Sequence, residues 1–215
     1  MAEVTIIGFP QSTFVRTAAM TCEEKGVSYE IEVAEFGSDE LLAVQPFNKV
    51  PGFRHGKVAL HETTAIGVYV DETFDGPSLQ PSSPVERAQM FQWISAACDY
   101  GYQSMIRELV FPRVVHPMRG IEPDEELIKA GVPKIEHFFS VAEKTLGSQD
   151  YLAGSSLSLA DLMLVPCVFY TSMTPEGQAM LPKYKGVSAW LERLSARPSF
   201  AATMPPPPPE QEAAE

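Results

Sequence analysis

Two hydroxyl residues, Ser12 and Thr13, stand where a short apolar segment gives way to a helical pattern. The segment 4–9 is rich in β-branched residues, which predicts a buried strand, and Pro10 ends it. A hydroxyl at this place can cap the helix that follows. It can also donate to a bound anion, which the positive end of the helix dipole stabilises as well. Ser12 is thus a candidate for stabilising an anionic reacting group, and Thr13 is the alternative residue. The structural explanation for Ser12 is that it only caps the helix.

A second helix start, at Glu62 and Thr63, has similar potential. Residues 62–74 carry apolar side chains at a helical spacing, so the unpaired N–H groups of the first turn lie beside these two residues. Those N–H groups suit a carboxylate, the Thr63 hydroxyl adds a donor, and the Glu62 carboxylate suits an ammonium group. The structural alternative is an acidic first-turn residue that only complements the helix dipole.

The composition argues against several other functions. The chain has 215 residues and a net charge of −12, so it lacks a basic surface for nucleic acid or for an anionic membrane.

Cys22, Cys98 and Cys167 are widely spaced in apolar helical segments, which favours buried thiols over disulfides or a zinc site. The four histidines are scattered, and we expect no metal. The N-terminal residues lack the features of a signal peptide, so we expect a cytoplasmic location.

The order of predicted elements divides the chain into two domains. Residues 1–76 follow the pattern β-α-β-α-β-β-α, with a tight hairpin turn at His55-Gly56. Residues 77–84 are rich in proline and serine and predict a linker. Residues 85–203 predict only helices, and residues 204–215 predict a disordered proline-rich, acidic tail. The second strand is predicted over 28–34, and the main later helices over 85–116, 124–146, 158–170 and 187–196.

Four segments resemble motifs of the cytosolic glutathione transferases. The segments are GFPQST (8–13), PFNKVP (46–51), HETTAI (61–66) and SLAD (158–161). The second is similar to the family motif N-P-x-x-x-V-P with its cis-proline, the third to E-S-x-A-I, and the fourth to the helix start S-x-A-D. They occur in the family order, and the resemblance covers residues 4 to about 200. The serine-type first motif is most similar to the phi-like and related bacterial branches.

The resemblance implies an α/β thioredoxin-like N-terminal domain and an all-α C-terminal domain. It also implies glutathione as co-substrate and assigns its thiol to Ser12, with Thr13 as the alternative. The thiolate is the reactive form, and lowering a thiol pKa by about two units from about 8.5 requires roughly 2.7 kcal/mol. A hydroxyl donor together with a helix N-terminus is a plausible source of that free energy. The Ser158 and Asp161 pair instead fits a capping box, so Asp161 is assigned to structure.

The other implied glutathione contacts follow the same motifs. A cis Val50–Pro51 bond would let the Val50 backbone pair with extended glutathione. Thr63 and the helix start would bind the γ-glutamyl carboxylate, and Glu62 the ammonium. Lys49 could hold the glycyl carboxylate, although an exposed loop lysine explains it equally well. Phi-like members usually carry a basic residue or histidine ahead of their second helix, whereas residues 35–39 contain no base.

The second substrate is expected between the two domains, where pockets are common. The candidate wall residues are aromatic or methionine side chains: Phe9, Phe14, Tyr100, Met105 and Phe111. The implied function is conjugation of glutathione to an apolar electrophile, in a homodimer. The alternatives are a non-catalytic protein that binds glutathione or apolar ligands, or an ether-cleaving or peroxidase variant. A thiol transferase would need a cysteine in place of Ser12.

Overall fold

One mixed four-stranded sheet organises the first part of the molecule. The computed structural model describes residues 3–206. The strand order is β2-β1-β3-β4, in which β1 pairs parallel with β2 and antiparallel with β3, and β3 pairs antiparallel with β4. The strands are β1 (Val4–Ile7), β2 (Tyr29–Glu32), β3 (Gly52–His55) and β4 (Val58–His61). This arrangement confirms the predicted thioredoxin-like fold.

Three helices join these strands: α1 (Thr13–Lys25), α2 (Asp39–Leu42) and α3 (Thr63–Thr73). Gly26 ends α1 in the left-handed region, with φ 68°, a conformation that a glycine adopts without the strain of a Cβ atom. The second strand is shorter than expected and stops at Glu32. Val33 lies beyond it and is 72% exposed, so the predicted span of 28–34 is too long.

The remainder of the described chain is helical, as predicted. Its elements are α4 (Pro84–Ala96), a π-helix (Ala97–Val115), α5 (His116–Met118), α6 (Glu125–Leu146), α7 (Leu159–Ser172), α8 (Pro175–Met180), a 3-10 helix (Leu181–Lys183), α9 (Lys185–Ser195) and α10 (Pro198–Ala202). The predicted long helix over 85–116 is right in extent but wrong in type, because most of it is a π-helix that contains Pro112. None of the helices described between residues 3 and 206 has the length and hydropathy needed to cross a membrane.

Helix α7 forms the centre of the helical part, with eleven of its fourteen residues buried. The predicted capping box is present at its start. The fully buried Asp161 carboxylate accepts bonds from the Ser158 hydroxyl (2.8 Å), the Leu152 and Ser158 backbone N–H groups (2.9 Å each) and the Trp190 indole (2.9 Å). Burial raises the pKa of Asp161, and these four donors oppose that rise. Asp161 therefore fixes the start of the core helix, as its structural assignment expected.

Helix α1 connects the sheet to the helical part. The Thr17 hydroxyl donates to the Leu162 carbonyl oxygen of α7 (3.0 Å), and Leu159 of α7 packs against Gly67 of α3. A Cβ atom at Gly67 would lie 3.2 Å from Leu159 Cδ2, so the small residue allows close approach. These contacts hold both domains against one helix.

A buried ion pair secures the segment between the domains. Lys25 Nζ lies 3.1 Å from Asp71 Oδ1, and the two side chains are only 3% and 4% exposed. Lys25 also donates to the Pro77 carbonyl oxygen (3.2 Å), while Asp71 accepts from the Leu79 backbone N–H (2.9 Å) and the Gln80 amide (3.1 Å). The segment predicted as a linker is thus tied to α1 and α3.

Replacing Asp71 with alanine should destabilise the protein strongly. The change leaves the Lys25 ammonium buried without its counter-ion, and we expect a loss of about 3–5 kcal/mol in the free energy of unfolding. Urea unfolding of the wild type and the variant measures this loss. The matched control is Asp150→Ala, which removes an exposed ion pair with Arg193 and should cost below about 1 kcal/mol. Equal losses in the two variants would contradict the role given to Asp71.

Candidate active site

The start of helix α1 places Ser12 and Thr13 in different surroundings. Ser12 is the N-cap, half-buried, and its hydroxyl oxygen accepts a long bond of 3.4 Å from the Val15 backbone N–H. Thr13 is buried, and its hydroxyl lies against the Cys167 thiol in the helical part. A Cβ atom at Gly8 would lie 2.6 Å from Val15, so the end of β1 is packed closely against the first turn. Of the two hydroxyls, that of Ser12 is therefore the more accessible.

The loop before β3 contains the predicted cis peptide bond between Val50 and Pro51. The loop is anchored on both sides of that bond. Gln45 accepts the Phe47 backbone N–H through its side-chain oxygen (2.9 Å), and the Asn48 side chain accepts the Gly37 backbone N–H (2.6 Å). Asn48 has a positive φ of 53°, which asparagine tolerates better than most residues. The backbone of Val50 is thus held in a defined position.

Helix α3 begins at a strained residue. Glu62 is its N-cap, with φ 67° and ψ 115°, and its side chain makes no capping hydrogen bond. Such a conformation costs about 1–3 kcal/mol and is often found at ligand sites. The Glu62 carboxylate is exposed, whereas Thr63, the first helical residue, is only 6% exposed. Helix α3 therefore starts with free N–H groups, a hydroxyl and an unengaged carboxylate close together.

These segments meet at a cavity of about 150 Å³ between the two domains. Its wall contains five of the residues predicted for the site, in addition to four others. The lining residues are Phe14, Gln45, Val50, Pro51, Glu62, Thr63, Thr64, Cys98 and Met163. The structure thus brings together the loop before β3, the start of α3 and the first turn of α1, with Cys98 and Met163 closing the cavity from the helical side.

Ser12 and Lys49 do not line this cavity. Ser12 lies two residues before Phe14, at the end of α1 that borders the cavity, and Lys49 is exposed on the loop beside Val50. Because neither residue is part of the cavity wall, their predicted contacts with glutathione remain predictions.

Four of the five residues predicted for the second-substrate wall lie elsewhere. Met105 is fully buried in the core of the helical part, so its prediction as a wall residue is wrong. Tyr100 is 69% exposed, and Phe111 packs under the Arg107 guanidinium, 4.6 Å from its carbon. Phe9 contacts the ring of Phe36 (5.6 Å between centroids). Three of these four residues lie in the π-helix, and the aromatic and methionine residue types that suggested them do not distinguish a pocket wall from a core.

Four wall residues were not predicted: Gln45, Thr64, Cys98 and Met163. Gln45 adjoins the motif at 46–51, and Thr64 belongs to the motif at 61–66, so the motifs were the available signal. Cys98 and Met163 belong to apolar helical segments, where a sequence pattern does not distinguish a pocket from a core. Burial, with the neighbouring Asp99 and Glu62 carboxylates adding to it, raises the pKa of the Cys98 thiol to about 11. Among residues 3–206 there is no group of three or more His, Cys, Asp or Glu side chains that could hold a metal ion.

Comparison with known proteins identifies the class that this fold and cavity define. Residues 6–78 match the model of the glutathione S-transferase N-terminal domain, and residues 99–198 match the model of its C-terminal domain. The chain is 34% identical to the probable glutathione S-transferase GSTF1 of Oryza sativa, over 93% of this chain and 94% of that protein. It is 35% identical to glutathione S-transferase F10 of Arabidopsis thaliana, over 85% and 87% of the two chains.

The chain therefore belongs to the glutathione S-transferase family, and it is an enzyme of that class. Its relatives are phi-class transferases, which confirms the predicted branch. Among solved structures, the maize glutathione S-transferase I in complex with an atrazine glutathione conjugate superposes with a TM-score of 0.85. The two are 30% identical, over 96% of this chain and all of that one.

Alkylation should distinguish Cys98 from the other two cysteines. Cys98 lines the cavity, whereas Cys22 and Cys167 are 0% and 2% exposed, so iodoacetamide should modify Cys98 first in the native protein. Because the thiolate reacts and its pKa is raised, the rate should increase about ten-fold per pH unit up to pH 9.5. Mass spectrometry of the digested protein measures the rate of alkylation at each cysteine. A rate that levels off near pH 9, or equal labelling of Cys22 or Cys167, would contradict this description of the cavity.

Proposed function

We propose that this enzyme conjugates glutathione to an apolar electrophilic small molecule through a thiolate stabilised by Ser12. The observation that carries the proposal is the convergence of Val50, Pro51, Glu62 and Thr63 on one cavity beside the start of α1. The maize enzyme whose structure holds an atrazine glutathione conjugate supports the same substrate class here.

Glutathione would lie extended along the loop before β3. The Val50 backbone N–H and carbonyl would pair with its cysteinyl residue as an added strand does. The γ-glutamyl carboxylate would accept from Thr63 and the first N–H groups of α3, and the exposed Glu62 carboxylate would bind the ammonium. In this arrangement the cysteinyl thiol would lie between the loop and the N-terminus of α1. Lys49, which is exposed on the same loop beside Val50, would add a positive charge.

The reaction requires that the thiol lose its proton before it attacks. The Ser12 hydroxyl would donate to the sulfur, and the N-terminus of α1 would add its positive dipole end, so the bound thiol releases its proton to water. The thiolate then forms a carbon–sulfur bond with the electrophilic carbon, and a leaving group departs with its electron pair or a proton is added. Phe14 and Met163 offer apolar surface to the second substrate.

The difference in burial favours Ser12 over Thr13 as the donor to the glutathione thiolate. Thr13 is buried and its hydroxyl lies against the Cys167 thiol, whereas the Ser12 hydroxyl oxygen only accepts a long bond from the Val15 N–H, which leaves its O–H free to donate to a ligand. A protein that binds glutathione or apolar ligands with little turnover is the second candidate, because Ser12 lies outside the cavity wall and residues 35–39 lack a base. Ether-cleaving and peroxidase reactions use the same thiolate and remain variants of the first candidate.

We also propose a cytoplasmic location and a symmetric homodimer. The three cysteines are free thiols, which suits a reducing compartment. Two-fold dimers are the commonest soluble oligomers, and analytical ultracentrifugation would give the mass of the assembly.

Steady-state kinetics with an activated aryl chloride test the proposed mechanism. In Ser12→Ala, kcat should fall about 100-fold or more, because a donor to the developing anion is lost, while the glutathione dissociation constant changes little. Thr13→Val should lower kcat by less than ten-fold.

The matched control is Ser83→Ala, which removes another serine cap, at the start of α4, outside the cavity wall. It accounts for any loss that follows from a missing cap alone. Glutathione binding without turnover in the wild type would favour the second candidate. A larger loss in Thr13→Val than in Ser12→Ala would reverse the assignment.

A further inference from the structure

Gln45 is the most deeply buried polar residue of the cavity wall. It is 2% exposed, compared with 6% for Thr63, and it follows the short helix α2. A side-chain amide carries one acceptor oxygen and two N–H donors, all of which need partners when they are buried. The partners of this amide therefore show what the cavity is built to bind.

The orientation of the Gln45 amide is fixed by the loop. Its Oε1 accepts the Phe47 backbone N–H at 2.9 Å, so the planar amide directs its NH₂ group to the opposite side. Within the described chain Nε2 donates to no acceptor, and it is not among the atoms that are sealed from solvent without a partner. Because Gln45 lines the cavity, these observations place an unused donor on the cavity surface.

The backbone around Gln45 holds this donor in place. The Gln45 N–H donates to the Leu41 carbonyl oxygen (2.7 Å), and the Gln45 carbonyl oxygen accepts the Asn48 N–H (3.1 Å). With its backbone bonded on both sides and its side-chain oxygen engaged, the amide is preorganised. A preorganised donor gives up little entropy when an acceptor arrives.

The partner follows from the proposed function, on which this inference rests. The Val50 backbone is assigned to the cysteinyl residue, and Thr63 with the start of α3 to the γ-glutamyl end. The glycyl end of glutathione, which carries a carboxylate, is left without an assigned partner in the cavity wall. Residues 35–39 contain no base, and Lys49 is exposed outside the wall.

We infer that Gln45 Nε2 donates a hydrogen bond to the glycyl carboxylate and thereby selects the complete tripeptide. Gln45 is a positioning and specificity residue in this account, distant from the reacting sulfur. A neutral amide suits this place, because a charged base with so little exposure would lose most of its hydration.

The test compares glutathione with γ-glutamylcysteine, which lacks the glycyl residue. Isothermal titration gives the dissociation constant of each thiol for the wild type and for Gln45→Glu. The glutamate keeps an oxygen that can accept the Phe47 N–H but removes the donor and adds a negative charge. The dissociation constant of glutathione should rise at least about 10-fold, and that of γ-glutamylcysteine by less than about two-fold.

Two further variants separate the inference from a structural effect. Gln45→Met, which removes both the donor and the oxygen that accepts the Phe47 N–H but adds no charge, should weaken glutathione binding by several-fold with the same difference between the two thiols. Gln178→Glu makes the same charge change on the exposed surface of α8 and should leave both dissociation constants within two-fold of the wild type.

The outcomes for the inference and for the proposed function are distinct. If wild-type protein binds glutathione and both thiols weaken equally in Gln45→Glu, or neither weakens, the inference is overturned and the proposed function stands. If the wild type binds neither thiol, the proposed function fails, and the inference fails with it.

Discussion

The candidate site depends on how tightly helix α1 is held. Ten of its thirteen residues are buried, because it packs against the sheet, helix α3 and helix α7 at once. The bond from the Thr17 hydroxyl to Leu162, together with the Lys25 and Asp71 ion pair, fixes its middle and its end. These contacts oppose tilting or sliding of the helix and so hold its N-terminus against the loop before β3 and the start of α3. A helix start held in place is what a preorganised anion site requires.

The charge of the chain makes such local donors necessary. A net charge of −12 opposes the formation of another anion, although screening limits that effect to nearby groups. Close to the cavity the exposed carboxylate of Glu62 adds a further negative charge. Helix N-termini, hydroxyls and backbone N–H groups must therefore supply the stabilisation that a basic side chain would otherwise give. The site is consistent with this: its wall contains amide and hydroxyl donors and no lysine or arginine.

The fold could be predicted where local patterns decide structure. The cap at Ser12, the cis Val50–Pro51 bond and the capping box at Ser158 each depend on a few adjacent residues, and all were found as expected. The π-helix depends instead on hydrogen bonds over a long segment, and apolar spacing did not reveal it. Met105 and Tyr100, which lie in it, were suggested by residue type, and residue type does not tell whether a side chain lies in the core or at a pocket.

Part of the site could also be predicted from short local motifs. Val50, Pro51, Glu62 and Thr63 belong to contiguous motifs, so their common position followed from the fold. Cys98 and Met163 reach the cavity only through packing between domains. Leu127 and Val141 of α6 are similarly apolar, yet they are 36% and 41% exposed, since neighbouring helices decide which part of an apolar face is covered.

The central claim is that Ser12 stabilises the glutathione thiolate, and the most direct measurement is the pKa of the bound thiol. The ultraviolet absorbance of the thiolate, titrated with pH at saturating glutathione, gives this value for the wild type, Ser12→Ala and the capping control Ser83→Ala. We expect a bound pKa about two units below the free value of about 8.5 in the wild type and the control, and a return toward about 8.5 in Ser12→Ala. A depressed pKa that persists in Ser12→Ala would contradict the claim and direct attention to Thr13 and the helix N-terminus.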